Sequence, residues 1–110
     1  MARLLRWTED AASDIVAIAE FISRDSEFYA KAVVGKIMEK IAAIPENPEI
    51  GRMVPEIESP GLRERFVYSY RIIYQIVNDT IWLIAIFSGK QPIEERLEKR
   101  STNKSLNQPH

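Results

Sequence analysis

The hydrophobic period of this chain changes at Gly51, and that change limits what it can fold into more than any other feature. Upstream, apolar residues recur at three- and four-residue spacing in two stripes: Ala12, Ile15, Val16, Ala19 and Ile22, then Ala30, Val33, Val34, Ile37, Met38, Ile41 and Ile44. Such spacing gathers each stripe on one side of a helix and leaves Asp14, Glu20 and Arg24 outside. Only Ser23-Arg24-Asp25-Ser26 separates the stripes, so the two helices must run antiparallel as a hairpin. Downstream the period is two in Leu62 to Val67 and Tyr70 to Val77, and Ile81 to Phe87 is apolar on both faces. A lone hairpin has nothing but that sheet to cover its stripes.

Local signals set the boundaries. Thr8 offers an N-cap oxygen, with Glu9 and Asp10 at the positive end of the first helix dipole, and Asp25 or Ser26 caps the second helix, which Pro45 and Pro48 stop. Arg3 to Trp7 and Met53-Val54 fit short strands, and turns fall near Ser69 and at Asn78-Asp79, which makes the last three strands a meander. Pro92 begins a short amphipathic helix running to Lys99. The expectation is an α+β fold, β-α-α-β-β-β, in which an N-terminal strand and a helical hairpin pack on an antiparallel sheet. One domain spans residues 1–100. Residues 101–110, with Leu106 as their only large apolar side chain, read as a flexible tail.

Composition then removes most chemistries. Leu, Ile, Val and Phe make up 31 of 110 residues, enough for one core and against wholesale disorder. There is no Cys, and the one His is His110, so thiol nucleophiles, iron–sulfur clusters, His-based metal centres and Ser-His-Asp triads cannot be assembled. No metal and no cofactor is expected. No apolar run reaches membrane-spanning length, and Arg3, Arg6, Glu9 and Asp10 interrupt the region where a signal peptide needs an apolar stretch, so a cytoplasmic protein is expected.

The net charge of -1 is unevenly spread. Residues 8–49 hold nine acids against four bases, whereas residues 62–91 carry a balance of +2. Bulk counterion release cannot hold nucleic acid on so neutral a chain, but a small directed basic patch can exist. Arg63 and Arg65 lie two apart on a strand, so both leave the same face, and Arg71 follows just beyond the next turn, where it is expected to approach them. Three guanidinium forks together would suit a phosphodiester and the charge that grows on it in a transition state. The structural alternative is that each pairs with a carboxylate such as Glu56 or Glu64. Arg52, in Gly51-Arg52-Met53-Val54-Pro55-Glu56, has the same two readings, target contact or a local ion pair with Glu56. Tyr70 and Tyr74 are either stacking surfaces or half-buried sheet residues.

An ordered string of motifs carries a resemblance: Trp7-Thr8, Ala11-Ala12, Asp14-Ile15, Asp25-Ser26, Gly51-Arg52-Met53-Val54-Pro55-Glu56, Leu62-Arg63-Glu64, Tyr70-Arg71-Ile72-Ile73-Tyr74 and Gly89-Lys90. Over about residues 3 to 95 the chain resembles the RelE/ParE superfamily of bacterial type II toxin–antitoxin toxins, nearer the ParE-like branch. The resemblance implies a growth-inhibiting, plasmid-stabilising toxin neutralised by a cognate antitoxin in a hetero-oligomer. In ribonuclease members the matching strands carry basic catalytic residues, which places Arg63, Arg65 and Arg71 in that role if this chain cuts ribosome-bound mRNA. Those relatives commonly have His before the Gly-Lys pair and a further base after it, where this chain has Ser88 and Gln91. Proton transfer would fall to Glu64, Tyr70, Tyr74 or Lys90. The resemblance therefore implies a poison of DNA gyrase, with Arg52, Tyr70, Tyr74 and Lys90 as target-binding candidates. Its alternatives are the mRNA endoribonuclease and an inactive former toxin that keeps only antitoxin binding.

Overall fold

The computed structural model describes residues 3–97. Its elements are β1 (Leu4–Trp7), α1 (Glu9–Ser23), α2 (Glu27–Ala42), β2 (Arg52–Met53), β3 (Leu62–Val67), β4 (Tyr70–Val77) and β5 (Thr80–Ser88), with two short 3-10 turns between α2 and β2 and a helical segment at residues 93–97. The α+β order and the closing meander are as expected. The end of the C-terminal helix and the tail lie outside the described residues.

The caps are those the sequence calls for. The Thr8 hydroxyl accepts from the Ala11 amide and the Ser26 hydroxyl from the Tyr29 amide, satisfying donors that each helix start leaves open. The five strands order β1-β5-β4-β3-β2. The meander pairs antiparallel, but β1 runs parallel to β5, from Leu4 beside Thr80 to Trp7 beside Leu83, so the sheet is mixed rather than wholly antiparallel. A tight turn forces its two strands antiparallel; β1 and β5 are joined only through the rest of the domain, which leaves either direction open.

Two apolar clusters sandwich this sheet. On the hairpin side, Ala11, Ile18 and Ile22 of α1 and Ala30, Val33, Ile37 and Ile41 of α2 pack on Val67, Ile72, Tyr74, Ile81, Leu83 and Ile86. On the opposite side, Val54, Leu62, Ile73, Ala85 and Phe87 are covered by Ile93, with Ile57 and Leu97 at the margin. The α1 stripe is rotated from the expected one. Ala11, Asp14, Ile18 and Ile22 face inward, while Ala12 is exposed and Val16 is 54% exposed.

Asp14, expected outside, is buried for a reason that lies in the sheet. β1 ends opposite Leu83, so further along that edge of β5 the Ile86 amide has no strand to bond, and one Asp14 oxygen accepts from it at 2.9 Å. The other oxygen takes the guanidinium of Arg96, which also lies over the Phe87 ring. One carboxylate thus ties α1, the open edge of β5 and the C-terminal segment. Asp14→Ala leaves a buried amide and a guanidinium without their acceptor and should cost about 2 kcal/mol. Chemical denaturation measures this, and a change below about half that figure would mean that solvent replaces the carboxylate at little cost.

Candidate functional site

The register of β3 and β4 decides which arginines can act together. A two-residue turn at Tyr68-Ser69 sets Val67 opposite Tyr70, Phe66 opposite Arg71, Arg65 opposite Ile72 and Arg63 opposite Tyr74. Side chains of opposed residues leave the same face. Arg63 and Arg65 therefore share the hairpin side with Ile72 and Tyr74, whereas Arg71 shares the other side with Glu64 and Phe66. The expected meeting of the three arginines does not occur.

Each of the pair on the hairpin side holds backbone. Arg65 donates to the Lys40 carbonyl at 3.0 Å, near the negative end of the α2 dipole, and Arg63 donates to the Gly51 carbonyl at 3.1 Å. Tyr74 is fully buried; its hydroxyl accepts from the Gly51 amide at 2.9 Å and donates to the Pro48 carbonyl at 2.6 Å. Burial raises the pKa of that hydroxyl against the opposing pull of the Gly51 amide, Arg63 and Arg65. It is a latch for the loop before β2, closed to solvent. Tyr70 packs at the edge of the hairpin-side core, and Lys90 is exposed beyond β5.

On the far side, Arg71 is the hub of a closed ion-pair network. Its Nε and Nη2 donate to one oxygen of Glu64, the former at 2.9 Å, while Nη1 and Nη2 each reach an oxygen of Glu56 at 3.1 Å. Arg52 donates through Nε to the second Glu64 oxygen, so its ion pair is with Glu64 and not with Glu56. The side chains of Glu64 and Arg71 are 0% and 6% exposed. The Phe66 ring lies 5.7 Å from the Arg71 guanidinium carbon and 5.8 Å from that of Arg52, and Phe87 lies 5.8 Å from Arg71. The Arg71 bond holds the Glu56 carboxyl below its ordinary value, and although burial pulls Arg71 down, its bonds to Glu56 and Glu64 leave it raised.

Two guanidinium groups thus meet two carboxylates, and every nitrogen of Arg71 is committed to one of them. A phosphate reaching for Arg71 would have to displace Glu56 or Glu64 first. Neither Glu64 nor Tyr74 is open to transfer a proton to a ligand. The sequence string contained Glu56 and Glu64, but their joint hold on Arg71 depends on strand parity and on the fold of the 54–61 loop. Among the described residues no group of His, Asp and Glu could hold a metal ion, and no helix is long and apolar enough to cross a membrane.

The lowered Glu56 value fixes a pH dependence. Its pKa lies below the ordinary 4.5 when folded, so the stability it contributes is fully present above 4.5 and lost as pH falls through the lowered value. Glu56→Gln should flatten that acid limb while leaving the neutral-pH form folded. Thermal melts taken through the acid range test this; parallel curves for variant and parent would contradict it.

A family model for the ParE toxin of the type II toxin–antitoxin system parDE matches residues 5–93. The chain belongs to the ParE toxin family. It is a toxin of a type II toxin–antitoxin system. Solved structures agree on the fold. A chromosomal ParDE toxin–antitoxin system from P. aeruginosa aligns at 22% identity and TM-score 0.66 over 79% of this chain and 96% of that one. A mutant of the E. coli toxin RelE in the free state aligns at 19% identity and TM-score 0.65 over 91% and 98%. The toxin–antitoxin complex RelBE2 from Mycobacterium tuberculosis aligns at 16% identity and TM-score 0.59 over 80% and 99%. A search of curated proteins found no match.

Proposed function

We propose that this toxin arrests growth by binding DNA gyrase, as a surface poison with no catalytic acid or base of its own. The observation that supports this reading is the saturation of Arg71 by Glu56 and Glu64, together with the placement of Arg63 and Arg65 on the opposite side of the sheet. A nuclease needs free donors aimed at the scissile phosphate. A poison needs only a complementary surface, and Arg52, with its side chain 64% exposed over Phe66, and the exposed Lys90 offer basic groups for one. Purified protein should inhibit gyrase supercoiling or trap cleaved DNA at concentrations where primer extension shows no codon-specific cuts in ribosome-bound mRNA. The opposite pattern would promote the ribonuclease reading. Expression alone in a bacterial host should arrest growth, with rescue by the antitoxin encoded beside it; unimpaired growth at confirmed soluble expression would leave only an antitoxin-binding module. A cytoplasmic site of action fits either target.

The antitoxin surface we propose is the outward groove of the helical hairpin. A pocket of about 370 Å³ lies there between Ala19 and Ser23 of α1 and Ala30 and Val34 of α2, rimmed by Glu20, Glu27 and Lys31. Small side chains let an incoming helix approach closely, and a partly disordered antitoxin segment would fold on it. Ala19→Glu places a charge in the floor and should weaken antitoxin binding about tenfold or more while leaving the melting temperature nearly unchanged. Hydrogen exchange should slow on α1 and α2 when antitoxin is added. A footprint elsewhere, with full affinity in Ala19→Glu, would remove the groove from consideration.

A further inference from the structure

A second polar feature lies on the hairpin side of the sheet, away from the Arg71 network. Where the two 3-10 turns pass the loop that leads into β3, a cleft of about 530 Å³ opens between Arg3, Asn47, Glu49, Pro60, Gly61 and Arg63. Arg63 commits only Nη1 to the protein, through its bond to the Gly51 carbonyl. Its Nε is buried with no acceptor, and no other buried side-chain nitrogen or oxygen among the described residues is left so. Arg3 lines the same cleft. Buried donors are almost always paired, so one that is not, beside a cleft with a second guanidinium, marks a place for an incoming acceptor.

We propose that this cleft binds a carboxylate of a protein partner, its two oxygens taken by Nε and Nη2 of Arg63 and its charge matched by Arg3. The paired edge of a guanidinium is the shape that a planar carboxylate fills with two parallel bonds. The charge count favours a single negative group, since two arginines face one acid, Glu49, across the cleft. A nucleic-acid backbone would bring many phosphates past Glu49 to a chain of net charge -1, and such backbones are held by the number of charges neutralised. An acidic side chain or a carboxy terminus supplies the monoanion.

The test follows the Arg63 Nε–H signal in the nitrogen-15 spectrum of the full chain, assigned by its loss in Arg63→Lys, with the Asn47 and Gly61 amides as a second readout. Sodium acetate is titrated at fixed ionic strength, with inorganic phosphate and sodium chloride as comparators. Acetate should shift these signals along a saturating curve, and Arg3→Gln, folded by its backbone spectrum, should raise the half-saturating concentration about tenfold. An acetate response no stronger than that to chloride, or a curve unchanged in Arg3→Gln, would overturn the site. Saturation by phosphate at lower concentration than by acetate would overturn the carboxylate assignment.

Discussion

Gly51→Ala should destabilise the protein by about 3 kcal/mol, combining the cost of overpacking with the loss of a buried hydrogen bond. A methyl group there would stand 2.5 Å from the Glu64 carbonyl oxygen and 2.6 Å from the Tyr74 hydroxyl. Neither can retreat cheaply. The first is backbone within the β3 ladder, and the second is held by both the Gly51 amide and the Pro48 carbonyl. The demand on this residue is one of space, since its φ of -83° is open to any amino acid. Tyr74→Phe removes the hydroxyl contact, leaving the ring carbon Cε1 at 2.9 Å and the Glu64 carbonyl in place, at a cost of about 1 kcal/mol for the lost hydroxyl bonds. In that background Gly51→Ala should cost measurably less than in the parent. Denaturant unfolding of the four proteins gives the coupling, and a Gly51→Ala variant within about 1 kcal/mol of the parent would show that the loop before β2 yields where the contacts say it cannot.

Glu64→Ala should be at least as damaging, at about 3–5 kcal/mol, because it strands the guanidinium of Arg71 in a buried site with only half its partners. Arg71→Ala should do the same to Glu64, whose side chain is fully buried. Replacing both by apolar residues, Glu64→Leu with Arg71→Met, should cost less than either single change, since no buried charge is then left unpaired. Additive losses in the double variant would mean that the two groups act independently despite their contact. An activity defect in Arg71→Ala consequently speaks for catalysis only if the variant is shown to be folded.

The hairpin, its caps at Thr8 and Ser26, and the closing meander were legible because each rests on local chemistry. Face assignments beyond them depend on counting. A two-residue turn makes paired positions sum to an odd number, so odd-numbered Arg65 and odd-numbered Arg71 point to opposite sides. That parity was available once Tyr68 and Ser69 alone form the turn, with Tyr68 at φ 54°. Asp14 sits at helical spacing from Ala11, Ile18 and Ile22, and its charge concealed that it shares their face. What no pattern in the sequence could supply is the reason it is tolerated there, an amide on β5 stranded by the early end of β1. Likewise Arg96 reaches Asp14 from 82 positions away, a distance at which sequence spacing carries no information.

The parallel pairing of β1 with β5 has a consequence for synthesis. The first strand leaves the ribosome early, but its sole neighbour in the sheet is the last strand. At about 5–20 residues per second, the interval from Trp7 to Leu83 is on the order of 4 to 15 s. Throughout it the inward faces of α1 and α2 have no complete sheet to rest on. A copy truncated before Thr80 lacks both the neighbour of β1 and one side of β4, so the central strand that joins the two ends of the sheet arrives last.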